Sequence, residues 1–263
     1  MAKRLIKVEL YQIAKSSMFF IMVITCCIMS FFFTSSDYLL EPIVQNTPNN
    51  VVGIYMNSIA DVGVALIIIA GCYSAYLFGE QFKQRTFNLK IGCGYSRTQL
   101  YLVQCLKTFL IVGLLIGLAV VVGCLKYGIA DLIKAVSENM GYFIRSLIFI
   151  FFLAFAIVSF CLIFAVIFQD TTKTLIASFV FLFVSCYIMA AIVTNFLASG
   201  NHSSAYGISE GAIMKFYPPY LWRWALNPDL NSNQLILTLV IALIWSVVAV
   251  SIGCYIFKKK EIK

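Results

Sequence analysis

Six stretches of this chain carry almost no charge, and their lengths decide what it can become. Between Lys15 and Asp37 lie 21 uncharged residues, between Asp61 and Glu80 18, and between Lys107 and Lys126 18. Between Arg145 and Asp170 there are 24, and between Asp229 and Lys258 28. A sixth stretch, from Lys173 to Glu210, has an apolar part that ends near Ala198. An α-helix rises about 1.5 Å per residue, so roughly 20 apolar residues cross the hydrocarbon core of a bilayer. The spacing predicts an all-α integral membrane protein with six transmembrane helices, at about 17–35, 58–79, 104–125, 145–168, 174–198 and 234–257. The runs are continuous, whereas the strands of a membrane barrel alternate with period two over about 10 residues. Composition agrees: 62% of residues are hydrophobic and 11% charged, against roughly 25% charged in soluble domains. No segment between spans is long enough for a separate folded domain, so 1–263 reads as one transmembrane domain.

An even number of spans puts both termini on one side. With the termini inside, the inner segments hold 14 of the 19 basic residues, and the outer ones hold Lys126, Lys134, Arg145, Lys215 and Arg223. Basic loops stay on the cytoplasmic side, which predicts cytoplasmic termini. The same asymmetry accounts for the net charge of +8, because basic residues line the anionic inner leaflet. The partner that composition implies is therefore the lipid bilayer, not nucleic acid.

The longest charged stretch between two apolar runs is Gly79–Lys107, with Lys83, Arg85, Lys90, Arg97 and Lys107 against one acid, Glu80. Glu80–Lys90 has no Pro or Gly and predicts a short helix. Gly92 and Gly94 should end it, and Ser96 should cap the helix that re-enters the bilayer. Its polar side chains, with Phe82, Phe87 and Leu89, suit a docking surface for a soluble partner. An ordinary basic loop that only sets topology carries the same pattern. The turn Gln169–Lys173 is so short that spans four and five must form an antiparallel hairpin, with Asp170 as cap. Before span one, Ile6, Leu10, Ile13 and Ala14 share a helical face, which predicts an interfacial elbow helix over 1–16 rather than a cleaved signal peptide. A frayed basic terminus is the plainer alternative.

On the outer side, 36–57 reads as irregular. Asp61 should reach the headgroups or pair with a base such as Arg145. Gly113 and Gly117 match the small-residue motif for close helix packing. The segment 199–233 contains two short helical patterns, Ser209–Phe216 and Tyr220–Leu226, broken at Pro218-Pro219. Its aromatic residues suit the membrane interface, so it should dip into the outer leaflet and return. That makes Tyr217, Pro218, Pro219, Trp222 and Trp224 candidates for an outer gate; anchoring the outer face is the alternative.

Catalytic patterns are weak. Gly207–Gly211 matches G-x-S-x-G, but no strand precedes it and the one histidine, His202, stands seven residues before Ser209. The nucleophile elbow needs a strand before and a His and acid after, so the match reads as chance. A phosphate loop is missing, since Gly92-Cys93-Gly94 lacks the Lys and Ser/Thr. The nine cysteines form no C-x-x-C pair and read as small apolar fillers. The span centres carry no ionisable groups of the kind an ion-driven carrier uses. No catalytic, cofactor or metal residue is assigned to this chain.

With these residues in view, the chain resembles the permease subunit of a type-2 ATP-binding-cassette transporter, of the small bacterial exporter-like form. The likeness covers most of the chain and is most specific in Gly79–Tyr101, where Glu80, Arg85, Thr86, Gly94, Ser96 and Arg97 fit the family's pattern. The short link between spans four and five and the small outer region depart from relatives with large outer domains. The resemblance implies a multi-pass protein of the bacterial plasma membrane. Two permease subunits, identical or related, would pair above two ATPase subunits that bind ATP and Mg. Segment 80–97 would act as a coupling helix, with Glu80, Gln81, Phe82, Lys83, Arg85, Thr86, Asn88 and Arg97 in contact with the ATPase. Gln169, Asp170 and Lys173 would make a second contact. Export of a peptide, lipid or amphipathic small molecule would follow, as in antimicrobial-peptide immunity. A membrane-embedded enzyme or an ion-driven carrier acting alone is the alternative.

Overall fold

The computed structural model describes residues 2–33, 50–127, 136–137, 139–198, 216, 218, 221 and 232–260. Side chains are described for these except at 2–3, 33, 50–61, 127, 187–198 and 232. Helices account for nearly all of them, and no strand occurs among the described residues. They are α1 (Ala2–Lys15), α2 (Ser17–Phe33), α3 (Asn50–Lys83), α4 (Thr86–Gly92), α5 (Arg97–Tyr127), α6 (Met140–Phe168), α7 (Thr171–Ala198) and α8 (Ser232–Lys259). Four helical stretches are long and apolar enough to cross a membrane: Val62–Lys83, Arg97–Lys126, Met140–Phe168 and Asn233–Lys259. A fifth is possible by length if α1 and α2, bent by 65° where they meet at Ser16, count as one broken span. The described part of α7, Thr171–Cys186, is apolar but shorter.

Five of the six expected spans fall inside a helix, and α2 covers 17–33 of the expected 17–35; several helices outrun the apolar windows. Residues 50–57, expected to be irregular, form the first two turns of α3, because nothing after Pro48 interrupts the helix. The span expected at 104–125 lies within a helix that starts at Arg97, where the expected Ser96 cap places it. Ser96 opens it with a reciprocal cap: its Oγ accepts the Gln99 N–H at 3.2 Å, and Gln99 Oε1 accepts the Ser96 N–H at 3.2 Å. At its other end Lys126 donates to the Phe31 carbonyl at 2.8 Å and covers the end of α2.

α6 is the centre of the bundle, packed between α3, α5, α7 and α8. Fourteen of its residues are buried, from Ser146 to Val166. The main apolar core joins Ile150, Leu153, Val158 and Cys161 of α6 to Leu66, Ala70 and Ala75 of α3 and to Val112, Leu115 and Ala119 of α5. The closest seam lies between α3 and α7. A Cβ at Gly79 would stand 2.8 Å from the Thr171 Cα, and one at Gly71 would collide with Leu182. The Gly113–Gly117 motif does not make such a seam. A Cβ at Gly113 would stand 3.3 Å from the Phe151 ring, and nothing lies within 4 Å of one at Gly117.

A second core sits at the end of the bundle that carries α4. Phe78 and Phe82 of α3, Phe87 of α4, Tyr101 of α5 and Phe257 of α8 are all at most 3% exposed. Their ring centroids lie 4.8–6.1 Å apart, the range in which aromatic pairs attract. The packing is full around Tyr101: a Cβ at Gly253 would fall on its hydroxyl. Gly253→Ala is therefore expected to cost about 1–3 kcal/mol through overpacking. Tyr101→Phe in the same chain removes the nearest colliding atom but leaves the ring carbon Cζ 2.3 Å from that Cβ, so it should recover only part of the loss. Thermal unfolding of the two variants and the double variant in detergent checks it, and an undiminished Gly253→Ala protein would contradict the packing.

Candidate functional site

The α4 end of the bundle brings together the residues expected to meet a soluble partner, but not as one straight helix. α3 runs on to Lys83, and the chain then turns at Gln84-Arg85. Arg85 takes a left-handed backbone, φ 55° and ψ 21°, a conformation that costs a non-glycine residue about 1–3 kcal/mol. A straight continuation would carry Phe87 into solvent. The turn instead folds α4 back so that Phe87 plugs the aromatic core, with no exposed surface. Thr86 Oγ1 donates to the Gln81 carbonyl at 3.0 Å and pins the turn. After Gly92, Gly94 adopts φ 89° and the chain leads into the Ser96 cap.

This geometry sorts the expected contact residues. Lys83, Arg85 and Asn88 are exposed, with Leu89, 71% exposed, at the tip of α4. Thr86 is half-buried. Gln81 and Phe82 are buried and face inward, Gln81 among Glu9, Gln104 and Lys90 and Phe82 against the Phe78 and Phe87 rings. Arg97 is likewise turned onto the chain itself. Its Nη1 donates to the carbonyls of Lys258 and Lys260 at 3.3 and 2.7 Å and covers the end of α8. Glu80 joins this face to the α6–α7 turn: Thr171 Oγ1 donates to Glu80 Oε1 at 3.3 Å, and Gln84 Nε2 donates to Oε2 at 3.2 Å. The turn is two residues, Gln169 with φ 50° and Asp170, whose Oδ1 accepts the Lys173 N–H at 2.9 Å as expected of a cap. Asp170 and Lys173 are exposed and Gln169 is half-buried. The two expected contact segments thus abut.

Beneath α4 lies a buried polar node that sequence reasoning missed. Glu9 of α1 is 1% exposed. Its Oε2 accepts from Lys107 Nζ of α5 at 2.6 Å and from Gln81 Nε2 of α3 at 3.0 Å, while its Oε1 pairs with Lys90 Nζ of α4. Gln81 Oε1 in turn accepts from Gln104 Nε2 at 2.9 Å and from Lys90 at 3.2 Å. Burial pushes the Glu9 carboxyl up, but the neighbouring ammonium groups of Lys107 and Lys90 outweigh it and hold it below the usual carboxylate range. The carboxylate is therefore charged, and four helices meet on it. The sequence did carry a signal. Leu5, Glu9 and Ile13 are four residues apart and are the buried stripe of α1, whereas Leu10 and Ala14, expected on the apolar face, are exposed. An acid on a buried stripe needs a cation.

Elsewhere the expected features separate. Of the outer-gate candidates, Tyr217, Pro219, Trp222 and Trp224 lie outside the described residues, and Pro218 is buried. Leu221 is fully buried in the main core, and Trp245 Nε1 donates to the Phe216 carbonyl at 2.6 Å. His202 and Gly207–Gly211 also lie outside the described residues, as does the Asp61 side chain. Arg145 stands 5.1 Å over the Tyr142 ring. Among the described residues no three His, Cys, Asp or Glu side chains gather. Cys93 is the exposed cysteine, and the others are buried or half-buried. The arrangement is a short helix fixed at its root by Phe87 and Lys90, with Leu89 exposed. The sequence matches no protein-family model, and comparison with curated proteins yields no match.

Proposed function

We propose that the chain is the transmembrane subunit of an ATP-driven transporter, moved by a separate ATPase that grips α4. The observation that carries this reading is the construction of α4. Its tip (Arg85, Asn88, Leu89) is exposed, while its root is fixed by Phe87 in the aromatic core and by Lys90 in the Glu9 node. A lever must be rigid where it joins the load and open where it is pushed. Asp170 and Lys173 widen the grip through Glu80 and Thr171. ATP and Mg belong to the partner, because the chain has no phosphate loop.

In this reading six helices cross the bacterial plasma membrane with both termini inside, and α1 lies along the inner leaflet as an elbow. Two copies, or two related subunits, pair around the transported path. The segment 199–233 re-enters the outer leaflet. Support comes from the Trp245–Phe216 bond, since Trp245 lies thirteen residues, about 20 Å, into α8. The cargo is a peptide, lipid or amphipathic small molecule, with antimicrobial-peptide immunity as the expected setting. Reconstitution tests it. In sealed vesicles, movement of a fluorescent amphipathic peptide or lipid should require both the ATPase and hydrolysable nucleotide. Movement by this chain alone, without nucleotide, overturns the proposal.

A further inference from the structure

We propose that the groove between α6 and α8 holds an acyl chain of an anionic phospholipid whose headgroup rests on the basic end of α8. The groove has a volume of about 290 Å³ and is lined by Phe152 and Phe155 of α6 and by Leu243, Val247, Val250 and Ser251 of α8. That is close to the smallest pockets that hold small organic ligands. A lining this apolar repels water and loses dispersion contacts when empty, and around spans of this kind the solvent is hydrocarbon.

Charge selects the lipid. Val247, Ser251, Tyr255 and Lys259 are spaced four apart and all exposed, so they form one stripe down α8 from the groove to its last turn. Lys259 Nζ stands 4.5 Å over the Tyr255 ring and donates to its hydroxyl. Lys258 is exposed beside it, whereas Lys260 is committed to the Ile167 carbonyl. α8 contains no acid. From Ser251 to Lys259 is eight residues, about 12 Å along the helix. Half a hydrocarbon core is about 15 Å, so a headgroup at Lys259 brings its chain to the level of the groove. Tyr and Lys are the residues found at that interface. The inference needs only these α8 residues and stands apart from the transport reading.

Native mass spectrometry of the detergent-purified protein tests it, with dioleoyl phosphatidylglycerol and dioleoyl phosphatidylcholine as probes. The wild-type protein should retain phosphatidylglycerol preferentially. The Lys258→Gln/Lys259→Gln variant should bind it about 25-fold more weakly, about five-fold per lysine, with phosphatidylcholine unchanged. Ser251→Phe, which fills the groove, should weaken both lipids. A second readout, independent of how that variant folds, uses brominated chains and Trp245 as the emitter in a Trp222→Phe/Trp224→Phe background. Brominated phosphatidylglycerol should quench more strongly than brominated phosphatidylcholine. Equal retention and equal quenching of the two lipids overturns the proposal. So does undiminished phosphatidylglycerol binding in a Ser251→Phe protein that keeps the wild-type unfolding midpoint.

Discussion

Glu9→Gln is expected to lower stability by about 3–5 kcal/mol, the cost of leaving a buried charge without its partner. Lys107, 4% exposed, would lose the carboxylate 2.6 Å away. For a chain of this size that is a fall in unfolding midpoint on the order of 10 °C. Adding Lys107→Met should restore much of it, because replacing both members of a buried pair by apolar or neutral groups is often near neutral. The pH dependence carries a sign. The Glu9 carboxyl is held below the usual carboxylate range, so its contribution is present above that range and is lost as pH falls through the depressed value. The gap between wild type and Glu9→Gln should stay constant near neutrality and close only in acid. A gap under 1 kcal/mol at neutral pH, or one that closes near pH 7, would refute the charged node.

Leu89→Asp and Arg85→Glu should each abolish retention of the ATPase while leaving the fold intact. Both side chains are exposed, and Leu89 makes up the apolar tip of α4. A central apolar anchor at a protein interface contributes about 2–4 kcal/mol, a loss of roughly thirty-fold or more in affinity. Reversing a neighbouring charge adds repulsion. Lys173→Glu, at the edge of the same face, should weaken retention by less. Co-purification of an ATPase co-expressed with this chain, with unfolding midpoints as control, reads all three. Undisturbed binding in the Leu89 and Arg85 variants would remove α4 as the point of contact.

The helical architecture was legible because length and hydropathy are local signals. Twenty apolar residues predict a membrane-length helix whatever they pack against. Charge at helix ends misled. Lys107 closed an apolar window and set the expected span at 104–125, yet its ammonium finds Glu9 inside the bundle, and α5 runs through it from the Ser96 cap. Phe82 and Phe87 looked available to a partner because each sits in a polar stretch. Only the turn at Arg85 shows that both belong to an interior made by six helices. Ser96 and Asp170 were legible as caps because a cap is written within four residues. Glu9 was not, since its partners lie 72 to 98 positions away.

The seam between α3 and α7 leaves no slack. With Gly71 under Leu182 and Gly79 under the Thr171 backbone, neither helix can slide along the other without collision. The two must swing together as a single beam. The left-handed turns at Arg85, Gly94 and Gln169 all lie at the end of the molecule that carries α4, and the first is pinned by the bond from Thr86 to the Gln81 carbonyl. Stiff along its length and braced at its foot, such a frame passes a small displacement on to its far end instead of absorbing it.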